Sequence, residues 1–103
     1  MEDWRRGSTP INVFIVDRDL RNSKVFVTYS QDGSVIVEKT NDELTITEDQ
    51  IIVNLSQTDT LNFHEGLIDI QIRFIDDDGY TDASNILSAR ATRILKDGEI
   101  VYA

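Results

Sequence analysis

The sequence predicts an all-β protein, folded as an immunoglobulin-like antiparallel β-sandwich of about seven strands. Three observations support this prediction. Apolar residues recur with a period of two along almost the whole chain, which is typical of half-buried strands. Turn residues separate these segments at intervals of roughly 8–12 residues, as in a sandwich. The chain has 103 residues and no cysteine, which indicates one domain without the disulfide of antibody domains.

The strands are predicted from seven segments that are rich in Val, Ile, Thr and aromatic residues. In chain order they are INVFIV (11–16), KVFVTYS (24–30), SVIVEK (34–39), ELTITE (43–48), IIVNL (51–55), LIDIQIRFI (67–75) and NILSARATRIL (85–95). INVFIV and IIVNL are apolar on both faces, which is typical of strands that are covered on two sides or lie at a contact. The last segment, with Leu87, Ala89 and Ala91 at period two, is compatible with helix or strand. The period of the neighbouring segments favours a strand.

Two further signals fix connections between these strands. Asp32-Gly33 separates KVFVTYS from SVIVEK and is the strongest hairpin signal in the chain. In LSQTDTLNF, Ser56 lies three residues before Asp59, which is the pattern of a helix N-cap with an acidic residue in the first turn. We therefore expect one short helical turn near 56–62 that crosses between the two sheets.

The acidic stretch DDDGYTD (76–82) is either a turn or a calcium loop. An EF-hand loop needs acidic side chains at positions 1, 3 and 5, glycine at 6 and glutamate at 12. With Gly79 at position 6, position 1 is a phenylalanine and position 12 an asparagine, so the register fails at both ends. We favour a hairpin turn with Gly79 in the left-handed conformation. A looser calcium or ligand site formed by Asp76, Asp78 and Asp82 is the alternative.

Composition limits the partners. The net charge is −9, which argues against binding to a nucleic-acid backbone. Residues 1–30 carry five basic and four acidic residues, so the remainder carries −10 and forms an acidic body behind a slightly basic start. No apolar run is long enough to span a bilayer, and the N-terminus does not resemble a signal peptide. We expect no direct nucleic-acid partner and no membrane partner.

No catalytic constellation is recognisable. His64 is the only histidine, so it cannot belong to a multi-histidine metal site, and as a general base it would need a nucleophile beside it. The absence of cysteine excludes a thiol nucleophile and a cysteine-ligated zinc. No G-x-S-x-G elbow, P-loop or G-x-G-x-x-G motif occurs. We predict that the chain is not an enzyme and has no cofactor and no metal site.

The N-terminal residues 1–10 are predicted to form an arm, followed by a single sandwich domain over 11–103. The arm carries Trp4, Arg5 and Arg6 in a polar context, and Trp and Arg are frequent anchors of protein interfaces. Pro10 marks the place where the arm ends. These three residues are therefore candidates for a protein interface. The other interpretation is that Trp4 packs back over an open end of the sandwich.

Several motifs resemble a family of small β-sandwich proteins, roughly 100 residues long, that are encoded by bacteriophages and prophages of Gram-positive bacteria. The family pattern has an R-G-[ST]-T-P-like start, an L-[ST]-Q-x-x-T-L-x-F segment, an x-I-Q-[IL]-R strand, an S-[DN]-[IV]-[IL] segment and an [IV]-L-x-D-[GE]-[IV] ending. The corresponding segments are Arg6–Pro10, Leu55–Phe63, Asp69–Arg73, Ser84–Leu87 and Ile94–Ile100. They extend over nearly the whole chain, although DDDG stands where the family has a turn of small residues.

The resemblance implies a non-enzymatic structural protein of the phage head, neck or tail. Such a protein would be made in the bacterial host cytoplasm, would be located in the virion, and would contact other phage structural proteins or other copies of itself. One alternative is a module that binds a host-surface glycan or protein through Tyr80 and Tyr102 beside the acidic turn. A further alternative is an acidic decoy that acts on a host DNA-binding protein, which the net charge of −9 suggests.

Overall fold

The computed structural model describes residues 2–102, which form two β-sheets packed face to face. The strands are β1 (Glu2–Arg5), β2 (Ile11–Ile15), β3 (Lys24–Gln31), β4 (Ser34–Thr40), β5 (Leu44–Ile46), β6 (Gln50–Asn54), β7 (Gly66–Ile75), β8 (Thr81–Ala83) and β9 (Leu87–Thr92). One short helix, α1 (Gln57–Leu61), links β6 to β7, and a 3-10 turn (Asn41–Glu43) precedes β5. No helix between residues 2 and 102 is long and apolar enough to cross a membrane.

The larger sheet has the order β1-β9-β7-β3-β4, with β8 paired to β7, and the smaller sheet has the order β2-β6-β5. All pairings are antiparallel except that of β1 with β9, which is parallel. The predicted immunoglobulin-like sandwich is confirmed, and each of the seven predicted strand segments contains a strand. The strands β1 and β8 were not predicted.

The core lies between the sheets and follows the period of two. On β7, Ile68, Ile70 and Ile72 are buried and face the other sheet, while Asp69 and Arg73 are exposed. The segment NILSARATRIL, whose pattern was compatible with helix or strand, contains the strand β9, and Ala89 and Ala91 in it are buried. The buried apolar residues are Trp4, Leu20, Val25, Val27, Tyr29, Val37, Ile51, Val53, Leu55, Phe63, Ile68, Ile70, Ile72, Ala89 and Ala91.

An aromatic cluster occupies the centre of this core. The Trp4 and Phe63 rings meet edge to face with their centroids 5.5 Å apart, and the Tyr29 and Phe63 centroids are 6.3 Å apart. The Tyr29 hydroxyl donates a hydrogen bond to Asn12 Oδ1 at 2.7 Å. In antibody domains a disulfide and a tryptophan join the two sheets at the core. In this cysteine-free chain, the buried hydrogen bond from Tyr29 of the larger sheet to Asn12 of the smaller sheet makes such a connection.

The predicted turns are present. Asp32 and Gly33 have φ angles of 52° and 80°, the pair of positive values that a type I′ turn requires between β3 and β4. Gly79, in the turn between β7 and β8, has a φ of 86°, as expected for the left-handed position. The helix α1 begins after Ser56, whose hydroxyl accepts a hydrogen bond from Asp59 N, while the Asp59 carboxylate accepts one from Ser56 N. The predicted helical turn near 56–62 is thus confirmed by a capping box.

The predicted N-terminal arm requires correction. Met1 lies outside the described residues, but Glu2–Arg5 form a strand of the larger sheet, in parallel register with Ala89–Thr92. Trp4 is only 6 % exposed and belongs to the core. Burial of one large aromatic side chain against Phe63 stabilises a strand whose other residues are all charged. Four residues with one apolar position are too few to show a period of two, so the sequence pattern did not reveal this strand.

Candidate protein-interaction surface

The predicted interface residues Trp4, Arg5 and Arg6 are engaged within the chain. The Trp4 ring is buried against Phe63, and its indole Nε1 has no hydrogen-bond acceptor among residues 2–102. The Arg6 guanidinium donates to the main-chain oxygens of Phe63 and Leu61, the latter at 3.0 Å, and so fastens the segment after β1 to the end of α1. Arg5 is exposed and donates to the main-chain oxygen of Arg93 at 3.1 Å. Trp4, Arg5 and Arg6 therefore hold β1 and the residue after it against the rest of the domain, and their side chains are occupied by contacts within the chain.

The predicted acidic site is a hydrogen-bonded turn. Asp76 Oδ1 accepts hydrogen bonds from the backbone N–H groups of Asp78 and Tyr80, at 3.0 and 2.9 Å. The other Asp76 oxygen lies 3.6 Å from the Arg18 guanidinium. Asp82 accepts hydrogen bonds from the Tyr80 hydroxyl and from its neighbour's backbone N–H. The Asp76 carboxylate therefore stabilises the turn by accepting hydrogen bonds from its backbone N–H groups.

The carboxylates that lie close together are not the set that was predicted. Oxygens of Asp76, Asp77 and Asp78 lie within 4.8 Å of one another, and Asp82 is not part of this group. Asp77 and Asp78 are exposed, and exposed acidic groups of this kind are common in solvated turns. The site of Asp76, Asp78 and Asp82 remains a prediction, and in this structure the Asp82 carboxylate accepts a hydrogen bond from the Tyr80 hydroxyl.

The aromatic residues Tyr80 and Tyr102 do not form the ligand site suggested by the sequence. Tyr80 lies beyond the C-terminal end of β7 and packs under Arg18, whose guanidinium carbon is 4.9 Å from the ring centroid. Tyr102 lies two residues after Ile100, whose backbone exchanges two hydrogen bonds with the Gln57 side chain. Gln57 is in α1, which lies in the chain just before the N-terminal end of β7. The ten residues of β7 span about 33 Å. Two residues beyond Ile100 bridge only about 7 Å, so the two tyrosines lie at opposite ends of the sandwich.

His64 lies in an ion pair with a turn residue. Its Nε2 is 2.7 Å from Asp32 Oδ2, and its Nδ1 is 2.8 Å from the Glu65 main-chain oxygen. The Glu65 carbonyl and then the Asp32 carboxylate raise the pKa of His64 above its usual value. No hydroxyl group within the described range contacts either ring nitrogen. The pair holds the β3–β4 turn against the segment before β7.

A row of exposed apolar side chains lies on β2, the edge strand of the smaller sheet. Ile11, Val13 and Ile15 have exposed fractions of 61 %, 50 % and 73 %, whereas Asn12 between them is buried. Val13 lies directly beside Ile52 of β6 on the outer face of the sheet. We name the row Ile11, Val13 and Ile15 the β2 stripe. A row of exposed apolar side chains along a strand is a frequent mark of an interaction site.

The β2 stripe coincides with unpaired backbone groups. Val16 N donates to Asp49 O at 2.9 Å, and Pro10 O accepts from Leu55 N at 3.1 Å, so the even-numbered residues of this segment bond to the β6 side. Hydrogen-bonding direction alternates along an antiparallel strand. The N–H and C=O groups of residues 11, 13 and 15 therefore point away from β6, to the side where no strand is paired among residues 2–102.

A groove continues from this edge between the two sheets. It has a volume of about 830 Å³ and is lined by Phe14 and Ile15 on one side and by Ile72, Phe74 and Leu87 on the other. Leu87 is 41 % exposed, so the apolar surface extends beyond β2. The sandwich is thus open along this edge, and a further strand beside β2 would reduce the opening.

The β2 edge is neither charged nor short, unlike the other edge strands β1, β4 and β5. The edge strand β1 carries Asp3 and Arg5, and β4 carries Glu38 and Lys39. The edge strand β5 has only three residues. Charges and shortness are the usual means by which proteins prevent an edge from pairing with another chain. The β2 edge has neither, and its sequence INVFI had already indicated a strand that is covered on both sides or lies at a contact.

Comparison with known proteins identifies the fold. No protein-family model and no curated protein matches the sequence. The structure is similar to the immunoglobulin-like domain of mouse leukocyte-associated immunoglobulin-like receptor 1, solved as a strand-swapped dimer, with a TM-score of 0.50 and 15 % identity over 87 % of this chain and 85 % of that one. It also matches the V domain of amphioxus IgVJ-C2, with a TM-score of 0.34 and 12 % identity over 86 % of this chain and 97 % of that domain. The chain has an immunoglobulin-like fold.

Proposed function

We propose that this chain is a non-enzymatic structural subunit of a bacteriophage particle, and that it acts by binding other proteins through the β2 edge. The observation that carries the protein-binding part is the coincidence of three exposed apolar side chains with unpaired backbone groups on one edge strand. The phage context rests on the sequence motifs and on the family that they resemble. In this proposal the protein is made in the host cytoplasm and located in the virion.

The geometry around the ionisable residues supports a non-enzymatic role. His64 is exposed, and its two ring nitrogens contact a main-chain oxygen and a carboxylate rather than a nucleophile. The Asp76 carboxylate is occupied by backbone N–H groups of its own turn. A general base needs a proton donor within hydrogen-bond reach, and a nucleophile needs a base. Neither arrangement occurs around these two residues.

Strand edges give immunoglobulin-like domains a means of association that needs no large apolar face. The mouse domain with a similar fold was solved as a strand-swapped dimer. In the present chain the proposed contact is addition of a strand to β2, with backbone hydrogen bonds and apolar side chains contributing together. Partners are other structural proteins of the particle or other copies of this chain. Apart from the net charge of −9, which alone suggests the decoy of DNA, no contact among residues 2–102 favours that alternative or a host-surface glycan site.

The proposal is tested by quantitative mass spectrometry of purified particles from the phage or prophage that encodes the chain. We expect this protein at a fixed molar ratio to the major shell or tube protein. Its presence only in the lysate, outside purified particles, would overturn the structural role.

The contact is tested by complementation with Val13→Lys and with Leu67→Lys as the matched control. Val13 and Leu67 lie on strands of different sheets and have almost equal exposure, 50 % and 51 %. A charge on β2 should prevent incorporation into particles, since charged side chains on an edge strand oppose its pairing with another chain. The Leu67 variant should be incorporated normally. Equal incorporation of both variants would remove β2 from the proposal.

A further inference from the structure

We propose that the partner of β2 is the β2 strand of a second copy of this chain, paired antiparallel with Val13 opposite Val13 on the two-fold axis. This inference rests on the proposed use of the β2 edge and names its occupant. The two smaller sheets would then join into one continuous six-stranded sheet. The proposal rests on three properties of the β2 edge. Its exposed side chains are apolar, its free backbone groups can pair with those of a second copy, and it carries no charge.

The backbone groups define the register. Residues 11, 13 and 15 direct both their N–H and C=O groups to the free side, as the bonds of Pro10 and Val16 to the β6 side require. In an antiparallel pair centred on Val13, Ile11 of each copy lies opposite Ile15 of the other. Every one of these pairs is a hydrogen-bonded pair, which gives about six backbone hydrogen bonds across the two-fold axis. If the register shifted by one residue, the free backbone groups of one copy would lie opposite residues whose groups already bond to β6 in the other copy.

The side chains match in the same register. Residues 11, 13 and 15 all lie on the outer face, so Ile meets Ile, Val meets Val, and the two stripes merge into one apolar row. On the inner face, Phe14 borders the open groove, and the added strand would extend the smaller sheet beyond it. The usual spacing of about 10 Å between packed sheets leaves room for a strand added beside β2 at about 4.8 Å.

Charge favours a contact at this place over other places on the molecule. Each copy carries a net charge of −9, so an uncharged strip is a favourable place for two copies to meet. Residues 7–16 contain no charged side chain, and the first acidic residue after β2 is Asp17. In the proposed register the two Asp17 residues are eight positions apart along the paired strands, about 27 Å. That separation exceeds the Debye length of about 8 Å at physiological ionic strength, so this repulsion is largely screened.

The contact is small, and we therefore expect a reversible dimer. Five-residue strands with three outward pairs fall at the low end of specific interfaces, for which association is weak and transient. Sedimentation of the wild-type protein between about 10 µM and 1 mM should accordingly show a concentration-dependent rise toward the dimer mass. The Val13→Lys variant should remain monomeric over the same range, and the Leu67→Lys variant should behave as wild type.

The register is tested by disulfide trapping, which is clean here because the chain has no cysteine of its own. Opposed residues of a hydrogen-bonded pair have Cα atoms about 5.5 Å apart, within the range that a disulfide spans. Under mild oxidation Val13→Cys should form a covalent dimer at least ~10-fold faster than Leu67→Cys, which has the same exposure. A mixture of Ile11→Cys and Ile15→Cys should form the mixed dimer faster than either variant forms a dimer alone.

Equal trapping rates for Val13→Cys and Leu67→Cys, or a wild-type chain that stays monomeric at 1 mM, would overturn the two-fold pairing. Trapping of Ile11→Cys alone as fast as the mixture would overturn the register. These outcomes are separable from the proposed function. A trapped dimer with no protein in particles would leave the pairing intact and remove the structural role, whereas protein in particles without trapping would leave the role and assign β2 to a different chain.

Discussion

The edge strands β1 and β2 lie on the same side of the sandwich, yet they meet solvent in opposite ways. They are close enough for Asn12 of β2 to donate a hydrogen bond to the Glu2 carboxylate of β1 at 3.2 Å. On β1 the single apolar residue, Trp4, is buried and the charged residues are exposed. On β2 the polar residue Asn12 is buried, whereas Ile11, Val13 and Ile15 face outward. The edge of one sheet is thus protected by charge, while the edge of the other is left suited to pairing.

The contrast between β1 and β2 shows that four or five residues are enough to make one sheet edge unfavourable and another favourable for pairing. Aspartate and arginine on β1 make addition of another strand unfavourable, and the buried Trp4 fixes β1 in place. The β2 edge is held from its inner side by the Asn12–Tyr29 hydrogen bond, so its outer side contributes little to the fold of the monomer. Under the proposed pairing, the inner face of β2 contributes to stability and its outer edge to association.

The largest effect is expected for Trp4→Ala, which breaks the β1 side of the comparison. Removal of a buried tryptophan should lower the free energy of unfolding by about 3–5 kcal/mol, because it leaves a cavity beside Phe63. Urea unfolding followed by circular dichroism would measure this. Trp4→Phe should lose less, since it keeps a ring against Phe63 and removes an indole N–H that has no acceptor between residues 2 and 102.

The control for this prediction is Asp3→Ala, an exposed neighbour in the same strand, which should change the free energy of unfolding by no more than about 0.5 kcal/mol. Deletion of residues 1–9 should likewise destabilise the sandwich, because it removes Trp4 and the Arg6 contacts with α1. A truncated protein with wild-type stability would show that β1 is an arm after all.

An intermediate effect is expected for Asn12→Ala, which acts on the inner side of β2. The Tyr29 hydroxyl would lose its acceptor while remaining buried, at a cost of about 1–3 kcal/mol. Burial and the carboxylates of Glu2 and Asp59 raise the pKa of Tyr29, consistent with a hydroxyl that must stay protonated. Thermal unfolding of Asn12→Ala, Tyr29→Phe and the double variant forms a double-mutant cycle. Additive losses would show that the two side chains are not coupled.

A smaller effect is expected where β4, the opposite edge of the larger sheet, is tied to α1. Lys39 Nζ lies 2.9 Å from Asp59 Oδ2, and both side chains are mostly buried. Burial acts to raise the pKa of Asp59, but the Ser56 backbone N–H and the Lys39 ammonium outweigh it, so the pKa is lowered overall. Asp59→Asn keeps an acceptor for the cap and removes the charge, which should cost about 1–2 kcal/mol at neutral pH.

The direction in which the stability difference between wild type and Asp59→Asn changes with pH tests the Lys39–Asp59 ion pair. A carboxyl group whose pKa is lower in the folded state stabilises the protein at pH values above its unfolded pKa, near 3.8, and this stabilisation is lost as the pH falls through the folded value. The difference between wild type and Asp59→Asn should therefore be full at pH 7 and vanish in strong acid. Urea unfolding at pH 7, 4 and 3 measures it, and a difference independent of pH would contradict the ion pair.

Sequence reasoning succeeded where the local pattern carries the information. The alternation in LIDIQIRFI, the Asp32-Gly33 turn and the Ser56 cap each encode a geometry within a few residues, and each is present in the structure. The strand β1 was missed because its pairing partner β9 lies more than eighty residues away, and the burial of Trp4 depends on Phe63. Four residues without alternation give no local signal for such a contact.

The exposed row on β2 could be predicted only in part. INVFIV is apolar on both faces, but the sequence left open whether its outer face is covered by the chain itself or free. That choice depends on the strand order β2-β6-β5, which leaves β2 at an edge, and strand order is a long-range property. The three acidic residues of the β7–β8 segment were grouped by proximity in sequence, whereas the carboxylates that lie close together in the structure are those of Asp76, Asp77 and Asp78.

The smallest effect on stability is expected for Ile15→Thr, and this prediction sharpens the comparison most directly. Ile15 is 73 % exposed, so replacing it with another β-branched residue should change the free energy of unfolding of the dilute monomer by no more than about 0.5 kcal/mol. The matched substitution Ile51→Thr, on the neighbouring strand but fully buried, should cost several times more. Chemical unfolding at low protein concentration, where no dimer contributes, compares the two. A large loss for Ile15→Thr would mean that the outer face of β2 is packed within the monomer, and then its apolar row would need no partner.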